Sequence, residues 1–119
     1  MSEASKDDAR VVFLSGDLMF ASRVRGAAEA AGYAFQLAGS LPDQPGIAYV
    51  IVDLSTRSGV VDGLMQQCAD VCPDAKVIAY GPHVQVSRLD AAKQAGIPIV
   101  VTRGQFDRSL PQLFASRPA

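Results

Sequence analysis

The residues able to do chemistry are few, and most of them stand where a short apolar run ends. Asp53 closes the run 47–52, Ser15-Gly16-Asp17 follows 11–14, Tyr80 closes 77–80, and Arg103 follows 99–102. A carboxylate at such a place can accept a phosphoryl group, bind a metal or meet a partner. Alternatively it caps the next loop, with Ser55, Thr56 or Ser58 as its neighbours. Asp17 and Asp53 could together offer Mg²⁺ the one or two carboxylates it usually takes. Asp17 also stands at the N-cap position of a helix, which would turn it toward backbone N–H groups. His83 and Arg103 could meet an anionic ligand or a partner protein from one edge. The plainer reading makes His83 part of a helix-entry loop, and 102–106 a strand-end turn with Gly104 free to take positive φ.

Other chemistries lack their parts. His83 is the only histidine, and Cys68 and Cys72, four apart on one helical face, make two ligands where structural zinc takes four. They read as one buried small hydrophobe and one helix-end residue. No motif places a serine or cysteine beside a base for nucleophilic catalysis. Ser15-Gly16-Asp17 resembles the start of a phosphate-binding turn, but GxGxxG is missing and an acid at a helix start repels phosphate.

These residues need elements to hold them. Five apolar runs, at 11–14, 33–37, 47–52, 77–80 and 99–102, predict strands; the second is the weakest. Runs without polar alternation suit a sheet covered on both faces. Between them, helices are expected at 18–31, 60–71, 85–95 and 107–115. The first shows Leu18, Ala21, Val24, Ala28 and Ala31 on one face, with Gly32 to end it. The second shows Val60, Leu64, Cys68 and Val71; the third shows Val86, Leu89, Ala92 and Lys93. The fourth shows Leu110, Leu113 and Phe114, and tolerates Pro111 only in its first turn. Strand and helix in alternation predict a parallel α/β sheet with right-handed crossovers. Segment 38–46, with Pro42 and Pro45, is too short for a full crossover helix and is expected to be one turn or a loop. Pro98 marks the last strand as an edge.

Composition sets the outer limits. A chain of 119 residues with 49% hydrophobic and 19% charged side chains suits one globular domain. Residues 1–9 read as a flexible tail, 10–116 as a single domain, and the last few residues are expected to fray. Eleven basic against twelve acidic residues leave no basic stripe for nucleic acid. No run reaches the roughly 18 apolar residues of a membrane span, and the polar start is not a signal peptide. The expected address is the cytoplasm.

Five strands, four or five helices, and an aspartate closing the third strand resemble the receiver domain of response regulators, from Val11 to Phe114. Ile51-Val52-Asp53-Leu54-Ser55 matches the phosphoacceptor segment, and Asp62-Gly63-Leu64 echoes the entry to the family's third helix. Ala95-Gly96 and Val100-Val101-Thr102-Arg103 are similar to the approach to its lysine. The resemblance implies a three-layer α/β/α sandwich, flavodoxin-like, with a five-stranded parallel sheet in the order 2-1-3-4-5. It implies Asp53 as phosphoacceptor candidate in a pocket of Ser15, Asp17, Ser55, Tyr80, His83 and Arg103, with Mg²⁺ as the one cofactor to consider.

The departures fall on the chemistry. Ser15-Gly16 replaces the family's acidic pair, Tyr80 its hydroxyl residue, Arg103 its lysine, Gly104 the following proline and Val100 its aromatic switch. Phosphoryl transfer needs cations to offset gathering negative charge, and here those groups are depleted. The expected function is thus a stand-alone, pseudo-receiver-like signalling module that binds a protein and is not an enzyme. The partner class is a signalling protein, either a histidine kinase or a regulator. In the family the signalling face lies on the fourth helix, fifth strand and fifth helix, implying Arg88, Lys93, Arg103, Phe106 and Arg108, with a homodimer through that face as one arrangement. The alternatives are a divergent regulator phosphorylated at Asp53 by a histidine kinase, and a small-molecule or nucleotide binder.

Overall fold

The computed structural model describes residues 9–114. Of the expected tail at 1–9 only Ala9 is described, packed against the core with its carbonyl accepting from the Ala34 N–H at 2.9 Å; the rest of that tail and the expected frayed end lie outside the described residues. Five strands form one parallel sheet in the order β2-β1-β3-β4-β5. They are β1 (Arg10–Leu14), β2 (Ala34–Ala38), β3 (Ile47–Asp53), β4 (Lys76–Gly81) and β5 (Ile99–Thr102). Helices α1 (Leu18–Ala30), α2 (Leu54–Arg57), α3 (Leu64–Val71), α4 (Val86–Gln94) and α5 (Arg103–Leu113) connect and cover them. This is the expected flavodoxin-like sandwich, and β5 is an edge strand as Pro98 indicates.

Two apolar layers sandwich the sheet. On one face Val11, Phe13, Tyr49, Ile51, Ile78 and Tyr80 pack beneath α1 and α5. On the other, Val12, Leu14, Val50, Val52, Val77 and Ala79 pack beneath α3 and α4. The central strands β1 and β3 therefore have to be apolar on both sides, which is why they read as unbroken runs. Strand β2 differs. Phe35 and Leu37 join the first layer, whereas Gln36 faces the second and bonds Arg10 and Gln44. Segment 39–46 holds no helix, so that side of β2 is covered by a loop and tolerates a polar side chain. Its weak signal in the sequence has this cause.

Several expected boundaries and faces move. Helix α1, capped by Asp17, buries Phe20, Ala21, Val24 and Ala28, and its first residue, Leu18, expected on the apolar face, is 70% exposed. The helix expected at 60–71 is interrupted: a 3₁₀ turn, Ser58–Val61, gives way to Gly63 at φ 77°, and only then does α3 begin. A left-handed residue cannot continue a right-handed helix, and glycine takes that conformation without a Cβ penalty. In α4 only Ala92 is buried, and Val86 is 58% exposed. Helix α5 starts four residues earlier than expected because Thr102 and Gln105 form a reciprocal capping box. Gly104 is therefore helical rather than at positive φ, and Pro111 falls in the last turns instead of the first.

Candidate functional site

The carboxyl ends of β1, β3, β4 and β5 meet at one rim of the sheet, and loop chemistry fixes what they present there. Asp53 ends β3 and caps α2; it is 2% exposed. Its Oδ1 accepts from the Ser55 N–H at 3.0 Å and the Ser55 hydroxyl at 2.7 Å. Its Oδ2 accepts from the Ser15 hydroxyl at 2.7 Å and the Thr56 hydroxyl at 2.8 Å. A carboxylate has about four lone-pair positions, and these four donors fill them. Burial pushes the Asp53 pKa up, but the bonds from Ser55, Ser15 and Thr56 outweigh it, and the result lies below the usual 3.8. Asp53 is ionised and fully engaged.

The donors are themselves tied to the neighbouring loop. Ser15 Oγ accepts from the Asp17 N–H at 2.9 Å, and Thr56 Oγ1 accepts from the Gly16 N–H at 2.9 Å. One buried charge thus knots the β1–α1 loop to the β3–α2 loop. The side chain of Asp17 works in two directions. Oδ1 caps α1 by accepting from the Phe20 N–H at 3.0 Å, and Oδ2 lies 3.6 Å from Arg103 Nη1. Helix capping, as anticipated, takes one oxygen; the other still faces the rim.

Arg103, the first residue of α5, lies with its guanidinium carbon 4.3 Å from the centre of the Phe20 ring. Tyr80 sits below it, inside the molecule. It is 1% exposed, stacked on Phe106 at 4.6 Å and on Phe13 at 6.2 Å, with Phe20 edge-on at 5.6 Å. Burial raises the phenol pKa strongly, the Asp53 charge raises it further, and Arg103 offsets part of this. Among the described residues its hydroxyl has no partner in hydrogen-bonding geometry, although Ser15 lies close enough to lower its pKa slightly. Tyr80 was expected to line a pocket; instead its ring fills the core, where aromatic partners hold it. Phe106, expected on the signalling face, is 1% exposed and part of the same stack. His83 is exposed in the turn after β4 and makes no hydrogen bond or ion pair among the described residues.

Two cations at the rim were not anticipated in this role. Arg57 donates to the Thr56 carbonyl at 3.0 Å. Arg88, from α4, donates to the carbonyls of Leu54 at 3.2 Å and Ser55 at 3.3 Å. They satisfy carbonyls that a four-residue helix leaves open at its end. Asp-x-Ser-Thr after an apolar run is the sequence signal for the knot, since Asp and Ser readily bond backbone two residues on. No comparable signal exists for Arg88, which arrives from 33 residues away. Cys68 and Cys72 are both buried, and burial lifts the Cys68 thiol to about 12, so both are neutral packing groups. Among the described residues no three or more of His, Cys, Asp and Glu gather as metal ligands. No helix among them is long and apolar enough to cross a membrane.

Receiver domains of response regulators recur among the similar solved structures. The beryllofluoride-activated NtrC4 receiver domain dimer matches over 89% of this chain and 96% of its own, with 17% identity and a TM-score of 0.65. A response regulator from Burkholderia pseudomallei, bearing a phosphorylated aspartate and a calcium ion, matches over 92% and 69%, with 17% identity and a TM-score of 0.64. The non-phosphorylated HemR receiver domain of Leptospira biflexa matches over 94% and 99%, with 14% identity and a TM-score of 0.65. No family model matches the sequence, and no curated protein matches it significantly. The chain has the receiver fold.

Proposed function

We propose that the chain is a receiver-like signalling domain that acts by binding another protein, in the cytoplasm, without efficient phosphorylation of Asp53. One observation carries the reading: both oxygens of the Asp53 carboxylate are saturated by donors of the chain itself. In-line attack on a phosphoryl group needs a free lone pair. Mg²⁺ needs open oxygens in near-octahedral array. Asp17 does not supply them, since one oxygen caps α1 and the other faces Arg103. As arranged, Asp17 and Asp53 do not fit a divalent ion, and Asp53 serves to staple two loops.

What remains for function is surface. Helix α4 exposes Arg88 and Lys93, α5 exposes Arg103 and Arg108, and the turn between β4 and α4 exposes His83 and Val84. These suit contact with a signalling protein, whether a histidine kinase, another regulator or a second copy of the chain. The last option has a precedent in the dimer formed by the similar NtrC4 domain.

The test is a titration of the chain with beryllofluoride and Mg²⁺, followed through its amide resonances. The expected outcome is an unchanged spectrum. Shifts centred on Asp53 that vanish in Asp53→Asn would establish the alternative, a divergent regulator phosphorylated at that residue.

A further inference from the structure

We propose that Thr56 is a site of phosphorylation by a serine/threonine protein kinase, with the Gly16 N–H and the Arg57 guanidinium as the receptor for the phosphate. The inference rests on the reading that Asp53 is closed, and adds how the closed knot would be opened.

Thr56 is exposed, yet its hydroxyl is the joint of the knot: it donates to Asp53 and accepts from Gly16 of the other loop. Arg57 lies directly beside it. A methyl group placed on Gly16 would fall 3.4 Å from Arg57 Nη1, 3.6 Å from Arg57 Nη2 and 3.6 Å from the Thr56 Cβ. The guanidinium and the threonine therefore press on the same point of the β1–α1 loop. Arg57 has no carboxylate partner among the described residues; its one hydrogen bond goes to a neutral carbonyl. Arg88, also without a carboxylate partner, reaches the two preceding carbonyls. Two guanidinium groups without a carboxylate partner among the described residues thus bond carbonyls of the segment that carries the exposed Thr56, and a phosphoryl group there would supply the missing negative charge.

In the transfer, the Thr56 oxygen forms a bond to the terminal phosphorus of a nucleoside triphosphate held by the kinase. The bridging P–O bond breaks, the nucleoside diphosphate leaves, and the hydroxyl proton passes to the kinase's base. The product carries close to two negative charges and can no longer donate to Asp53, which repels it. The side chain turns outward, where its oxygens accept from Gly16 and Arg57. Asp53 then loses one of four donors, and the two loops lose their direct joint.

The test uses the full chain with phosphothreonine installed at position 56 during translation, read by ³¹P resonance against pH. The expected result is a second phosphate ionisation at least about half a unit below the ordinary value of about 6, and a return to about 6 in Arg57→Gln. An ionisation at about 6 in both proteins overturns the proposal. Should the modified chain fail to fold, Thr56→Ala titrated with inorganic phosphate takes its place. A saturable shift of the Gly16 amide, lost when Arg57→Gln is added, is expected; no shift overturns it. Hydroxylamine, applied to wild-type chain phosphorylated after folding in a cell extract supplied with ATP, separates the two readings: a phosphate that resists it is an ester on a hydroxyl. One released by it stands on Asp53 and refutes the closed carboxylate instead.

Discussion

Asp53 and Tyr80 face each other as register partners at the ends of β3 and β4, both almost wholly buried, and they satisfy their polar atoms in opposite ways. The carboxylate, the costlier group to bury, has four donors. The phenol, a cheaper one, has no hydrogen-bond partner among the described residues. Burial of a charge is tolerated only with full hydrogen bonding, whereas a hydroxyl without a bond costs about 1–3 kcal/mol and can be outweighed by a large ring. Tyr80 is held by Phe13, Phe20 and Phe106, with ring centres between 4.6 and 6.2 Å away. Each such pair adds about 0.5–1.5 kcal/mol beyond area. The rim is thus specified by polar bonds at Asp53 and by aromatic packing at Tyr80.

The sharpest way to break this contrast is Asp53→Ala. It strands three hydroxyls and a backbone N–H, so the urea-unfolding free energy should fall by about 3 kcal/mol. Acid should act the same way on the wild type. The folded pKa of Asp53 lies below the unfolded value, so its stabilisation is present above that unfolded pKa. It is lost as pH falls through the folded pKa, in a window below about pH 4. Melting temperature scanned from neutral to strongly acid pH should show this slope, flattened in Asp53→Asn. Thr56→Val removes one donor of four and the acceptor of Gly16, and should cost about 1 kcal/mol by the same unfolding measurement. Tyr80→Phe should cost nothing, or stabilise by up to about 1 kcal/mol, since the hydroxyl has no partner to lose. A loss above about 2 kcal/mol there would reveal a bond to Tyr80 and end the comparison.

Much of the fold could be read in advance, and each miss has a local reason. The unbroken runs of β1 and β3 declared a sheet covered on both faces, and the nine-residue segment at 38–46 declared a missing crossover helix. Helix starts were harder. Thr102 and Gln105 form a legible capping box, but Pro111 drew the expected start of α5 toward itself. The break at Gly63 is equally visible as a glycine, but Val60, Leu64 and Cys68 keep helical spacing across it and mask it. At the site, Ser15 and Ser55 donate to Asp53, and the Asp17 N–H donates to Ser15. The place of Arg88 at the carbonyls of Leu54 and Ser55 was not foreseeable.

The sequence alone determined the alternation of strand and helix, the edge position of β5, and that Ser15-Gly16 and Arg103 stand where the receiver pattern it resembles has an acidic pair and a lysine. These follow from residue type and spacing along the chain. Only the tertiary structure decided that Asp53 is closed by Ser15 and Thr56, that Tyr80 points into an aromatic core, and that Asp17 divides its two oxygens. Each of these depends on distances between atoms many residues apart, and hydrogen bonds and ring stacking act only over a few ångströms, once the sheet has brought its strand ends together.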